Sequence, residues 1–137
     1  MIVFLDACAL IYWQEVKEPF YSQFVETLSK IYQQQPAAKI AVSRLSQLEC
    51  LVKPYKDNNS GLVGNYQEFF NADGLIIVEL GAEIMQQAAL LRATITALKT
   101  PDALQAVSAL SLSDELIFVT NDKGFKQIPQ LPILLLT

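Results

Sequence analysis

Histidine is absent from all 137 residues, and that absence excludes more chemistry than any other feature of the composition. A Cys/His zinc site, a histidine general base and a Ser-His-Asp triad are all ruled out. Catalysis here must rest on carboxylates, hydroxyls, Lys or Arg, or a metal ion. Cysteine is nearly absent too: Cys8 and Cys50 are too few for a disulfide framework and read as small buried hydrophobes. The five glycines include none in GxGxxG or GxxxxGK spacing, so no phosphate-cradling loop is present. No apolar run nears the roughly 20 residues of a membrane helix, and Asp6 interrupts the first one before a signal-like stretch can develop. A cytoplasmic protein without a membrane partner is expected. Positive charge is also short, with 10 Lys and Arg against 14 acids and a net charge of −4. Nucleic-acid affinity comes mostly from neutralising phosphates. The balance therefore disfavours broad electrostatic binding, but not a metal-mediated contact at one phosphate.

What is present is apolar: 52% hydrophobic residues against 18% charged, enough for one folded domain over residues 1–137. Residues 2–5 read as a buried strand, and a helix follows through Trp13 to about Pro19. Helical spacing continues from Phe20 to Gln35, where Pro36 stops it. Lys39–Ser43 reads as a second strand, with Ser43 capping a helix that Pro54 kinks or ends. Residues 56–61 form the clearest loop, a helix runs on to about Ala72, and Asp73-Gly74 makes a turn. Leu75–Leu80 reads as a third strand and Ala82 to about Ala97 as a helix. Thr100 caps a helix to about Ser111, with Pro101 at its first position. Leu116–Thr120 and Ile133–Leu136 complete the strands. Strands alternating with helices predict an α/β three-layer sandwich with a mostly parallel central sheet. Ligands of such sheets bind beyond the carboxyl ends of the strands.

Four acids stand at segment ends of this pattern: Asp6, Glu49, Asp102 and Asp122. Each has an ordinary explanation. Asp6 suits a helix N-cap, Glu49 a solvated helix face, Asp102 a helix dipole and Asp122 a polar turn. Gathered at one sheet edge, they would instead hold a divalent metal suited to phosphodiester hydrolysis. Arg44, Lys123 and Lys126 lie near these acids and are candidate phosphate contacts, although each also reads as an exposed surface charge.

The order of four segments resembles the PIN-domain family, and within it the VapC-type toxins of toxin–antitoxin pairs. They are Phe4-Leu5-Asp6-Ala7-Cys8-Ala9-Leu10-Ile11, Val42 through Glu49, Asp102 through Leu110, and Phe118 through Phe125. The resemblance spans essentially the whole chain and implies a PIN-like sheet between helices. It also implies that Asp6, Glu49, Asp102 and Asp122 bind Mg²⁺ or Mn²⁺ for RNA cleavage. Asp6 and Asp102 are expected to ligate directly, and Glu49 and Asp122 through water. Thr120 and Asn121 match a supporting position. The family often carries Thr-Ser after its first Asp, whereas Ala7-Cys8 here supplies no hydroxyl, a loss that Ser43 or Thr120 can partly make up. It often has His where Gln105 stands, a position outside the ligand set.

The resemblance therefore implies a metal-dependent endoribonuclease acting on an RNA substrate, with a cognate antitoxin as partner. It also implies a homodimer, for which the apolar helices bearing Trp13, Phe69 and Phe70 offer a surface. The alternative, favoured by Ala7-Cys8, is a catalytically weakened PIN-fold module that binds RNA or protein.

Overall fold

The N-terminal apolar run forms β1 (Ile2–Leu5), buried at all four positions, as befits a central strand covered on both faces. In the computed structural model, which describes residues 1–112 and 115–137, β1 is followed by α1 (Ala7–Gln14), α2 (Phe20–Gln34), β2 (Lys39–Ser43), α3 (Arg44–Lys56) and α4 (Ser60–Phe70). Next come β3 (Ile76–Val78), α5 (Ala82–Thr94), α6 (Thr100–Leu110), β4 (Leu116–Thr120), a short 3-10 helix (Lys123–Gln127) and β5 (Ile133–Leu135). The sheet order is β3-β2-β1-β4-β5, and all four pairings are parallel.

Strand alternation divides the core in two. Ile2, Phe4, Ala41 and Phe118 face α5 and α6, whereas Val3, Leu5, Val42 and Val119 face α1 to α4. These two layers over one sheet are the expected sandwich. Phe4 and Phe118 are register partners whose rings stack at 5.5 Å, and Phe118 meets Phe125 at 4.8 Å. Phe125 thereby anchors the 3-10 helix that follows Asp122.

Several local expectations shift. Thr100 is the first residue of α6 and Lys99 holds the cap position. The Thr100 hydroxyl accepts from Arg92 Nη1 at 2.8 Å, and is thus engaged away from the helix end. Pro54 lies inside α3, which ends two residues later at Lys56. In this last turn it removes the N–H that would bond to the carbonyl four residues back, and its ring is buried. β3 covers only three residues, the length over which this edge strand pairs with β2. α5 stops at Thr94, where the Ile95 N–H bonds to Leu91 and a turn carries the buried Leu98 inward. Trp13 and Phe69 pack on each other, Trp13 also on Phe24, and Phe70 is buried. These aromatics thus pack within the monomer, with Trp13 and Phe69 still partly exposed.

Candidate functional site

β1 and β4 are neighbours although β2 and β3 extend the sheet on one side and β5 on the other. The crevice beyond their carboxyl ends is a topological switch point, where open α/β sheets bind ligands. Leu5 pairs with Val119, so the next residues, Asp6 and Thr120, end their strands side by side.

Asp6 serves two purposes. Its Oδ1 caps α1 by accepting the Ala9 N–H at 3.0 Å, and its Oδ2 accepts the Thr120 hydroxyl at 2.5 Å. Asp6 is only 5% exposed. Burial pushes its pKa up, three hydrogen bonds from Cys8, Thr120 and Ala9 oppose the rise, and the charge of Asp122 adds to it.

Glu49 lies on α3, in its second turn, because Ser43 is the cap; the Ser43 hydroxyl accepts the Leu45 N–H at 3.1 Å. Burial raises the Glu49 pKa, a hydrogen bond from Gln105 lowers it, and Asp6 and Asp102 raise it further. Asp102 occupies the first turn of α6, where the helix dipole favours an anion. Its pKa is nonetheless raised by burial and by Asp122, against a smaller opposing effect of Lys99. Asp122 caps the 3-10 helix through a 2.8 Å bond from Gly124 N–H, and its own N–H donates to Thr120 Oγ1 at 3.0 Å. Asp6, Asp102 and Asp122 thus keep their ordinary capping or dipole roles, and the charge of another acid contributes to the raised pKa of Asp6, Glu49 and Asp102.

Two side chains outside the expected ligand and supporting sets complete the arrangement. The Cys8 thiol donates to Asp6 Oδ1 at 2.9 Å and lies 3.8 Å from Thr120 Oγ1. Burial, together with the Asp6 charge, holds its pKa up, so it remains a thiol and a donor. The missing hydroxyls after Asp6 therefore have a weak replacement. Cys50, by contrast, is buried and pushed up to about 12, chiefly by desolvation, as an inert core residue. Gln105 donates to Glu49 Oε1 at 3.0 Å and to Ser46 Oγ at 2.9 Å. The available signal is its polarity in a stretch otherwise made of small and apolar residues, Ala103 to Ala109.

The candidate phosphate contacts differ in freedom. Arg44 grips Glu79 with two nitrogens, at 2.8 and 2.5 Å, and Gln47 with a third at 2.7 Å. Lys123 and Lys126 are exposed on the 3-10 helix beside Asp122. Asn121 lies between Thr120 and Asp122, partly buried, and Ser43 is fully buried at the end of β2.

The donor set fits a hard divalent cation, since the four acids offer oxygen alone. Among the described residues, no three His, Cys, Asp or Glu side chains close into a ready-made cage.

The family model described as PIN domain matches residues 3–131. No curated protein matches the chain in sequence. Three similar solved structures cover nearly the full length. A chain of VapBC2 from Rickettsia felis, bound to a DNA fragment from their promoter, is 22% identical with a TM-score of 0.74 and 100% of both chains covered. A chain of VapBC-1 from nontypeable Haemophilus influenzae is 17% identical, with a TM-score of 0.74 and 98% of each chain covered. A toxin–antitoxin complex from Klebsiella pneumoniae supplies the third, at 18% identity, a TM-score of 0.67 and 98% coverage of each chain. At these identities the likeness establishes the fold.

Proposed function

The chain belongs to the PIN-domain family, and from that premise we propose that it is a metal-dependent endoribonuclease, the toxin of a toxin–antitoxin pair. In this reading residues 1–137 act as one domain, Mg²⁺ or Mn²⁺ is the cofactor and RNA the substrate. The observation that carries it is Asp6: a buried carboxylate at the switch point, held by Thr120 and Cys8 and within electrostatic reach of Asp122. Burying a charge without a counter-ion is costly, and a divalent cation supplies one.

Asp6 and Asp102 would hold the ion directly, and Glu49 and Asp122 would do so through water. What Mg²⁺ or Mn²⁺ contributes when bound is a lowered water pKa and positive charge at the scissile phosphate. Thr120 keeps Asp6 turned toward the crevice, and its bond to the Asp122 N–H fixes the neighbouring turn; Asn121 carries the chain between them. Ser43 starts α3 and so sets the position of Glu49. Lys123 and Lys126 meet the RNA backbone beside Asp122, whereas Arg44 reaches a phosphate only by exchanging Glu79 for it.

A cognate antitoxin, a second copy of the chain and a cytoplasmic location complete the proposal. Among the described residues no helix is long and apolar enough to cross a membrane. Leu48, Val52 and Tyr55, more than half exposed at helical spacing on α3, support a protein partner.

Cleavage of defined tRNAs by the purified chain, with Mn²⁺, Mg²⁺ or EDTA, tests the reading. Metal-dependent cutting that is lost in EDTA and in Asp6→Asn is expected. Equal cutting by wild type and Asp6→Asn overturns it. RNA binding without cutting in any metal establishes the binding module instead.

A further inference from the structure

We infer that Gln105 is a positioning residue, which presents the Glu49 carboxylate to the metal; this rests on the nuclease reading above. Residues Ala103 to Ala109 of α6 are all buried, and Gln105 is the one long polar side chain among them, 3% exposed. Its amide nitrogen is shared between Ser46 Oγ at 2.9 Å and Glu49 Oε1 at 3.0 Å. Ser46 and Glu49 are three residues apart on α3 and so lie on one helix face. The Gln105 amide therefore bridges α6 to the face of α3 that carries the acid.

The orientation of that amide is dictated by Glu49. An ionised carboxylate only accepts hydrogen bonds, so the nitrogen must face it, and the amide oxygen is turned elsewhere. Gln105 Oε1 is fully buried and finds no hydrogen-bond partner among the described residues. A buried polar atom without a partner is unfavourable, and an apolar side chain of the same size would fill this place without one. Stability alone does not account for Gln105. Its N–H on Glu49 does: the half-buried carboxylate has no other hydrogen bond among the described residues, and without it would rotate freely on a flexible stem. Groups that orient metal ligands in this way typically set metal affinity by about 10–100-fold.

Mn²⁺ affinity of the intact chain, measured from the electron paramagnetic resonance of the free ion, separates this role from simple packing. Gln105→Met keeps the volume and removes the donor. It should weaken Mn²⁺ binding by about tenfold or more while leaving the urea midpoint close to that of wild type. Gln105→His, which retains a ring N–H, should recover most of the affinity. In a Glu49→Gln background, Gln105→Met should cause no further loss, because both changes act on one carboxylate. Wild-type affinity in Gln105→Met overturns the inference, as does an undiminished loss in the Glu49→Gln background or a loss that merely follows unfolding. A wild-type chain that binds no Mn²⁺ overturns the nuclease reading itself and this inference with it. If wild type binds and cuts while only the Gln105 predictions fail, the nuclease reading stands.

Discussion

Thr120 donates its hydroxyl proton to Asp6 Oδ2 at 2.5 Å, joining the ends of β4 and β1. The Thr120 Oγ1 itself accepts the Asp122 N–H at 3.0 Å. One fully buried threonine thus connects the first acid of the chain to the last. Thr120→Val preserves the shape and removes both bonds. Hydrogen bonds to charged groups contribute about 1.5–3 kcal/mol, so chemical denaturation should show a destabilisation of about 2 kcal/mol. Thr120→Ser should retain most of the stability.

Stability of the metal-free protein should fall as pH rises. Asp6, Glu49 and Asp102 all sit above their ordinary values of 3.8 and 4.5, mainly through burial. Between the ordinary and the raised values the folded chain holds protons that the unfolded chain has released. The stabilisation is complete below the ordinary values and is lost as pH climbs through the raised ones. Thermal melts across this range should slope downward without metal, and Asp6→Asn should flatten the slope. Millimolar Mn²⁺ should raise the melting temperature most at the high-pH end, where the carboxylates are ionised. A melting temperature indifferent to Mn²⁺ and Mg²⁺ at every pH counts against the metal site.

Cys8→Ser should preserve or increase RNA cleavage, since a hydroxyl is a stronger donor to Asp6 Oδ1 than the thiol it replaces. Cys8→Ala removes the donor, and kcat/KM should drop by about tenfold, the equivalent of about 1.4 kcal/mol. Equal rates in all three proteins would show that the thiol contributes nothing to the carboxylate.

Gly124→Ala probes the Asp122 turn. A Cβ at Gly124 would stand 3.0 Å from Asp122 Oδ1, tighter than ordinary van der Waals contact. Asp122 must then move by a few tenths of an ångström, loosening its bond from the Gly124 N–H. Metal-dependent activity should decrease several-fold, with stability changed by about 1 kcal/mol or less, because Phe125 still anchors the segment.

Tyr66→Phe serves as the contrasting structural change. The buried Tyr66 hydroxyl donates to Glu15 Oε2 at 2.6 Å and to none of the four acids. Losing it should cost about 1–3 kcal/mol in urea denaturation while kcat/KM remains at the wild-type level.

The sequence by itself determined the element order and both layers of the core. Periodicities of 2 and 3.6 are local properties, and continuous apolar runs such as Ile2–Leu5 leave little freedom in how a strand is buried. The acids were visible at segment ends for the same reason: strand ends and helix starts carry local turn and cap signals. Boundaries proved less legible. Arg92 binds the Thr100 hydroxyl from a different helix, so the α6 cap moved to Lys99, and no pattern around Thr100 records that contact. Likewise Trp13 and Phe69 read as surface aromatics in sequence, whereas in the fold Trp13 of α1 meets Phe24 of α2 and Phe69 of α4.

Only the tertiary structure decided which side chains serve the acids. Cys8 is marked in sequence by an absent hydroxyl, yet its distance to Asp6 depends on how α1 leaves the sheet. Gln105 and Glu49 are 56 positions apart, and Thr120 and Asp6 are 114 apart. Hydrogen bonds demand placement to within a few tenths of an ångström, which hydrophobic patterning does not encode. The missing histidines narrowed the chemistry to carboxylates, hydroxyls, Lys or Arg, or a metal ion. The parallel register of β1 and β4 then set Asp6 beside Thr120, because that alignment is a property of the assembled sheet and not of either strand alone.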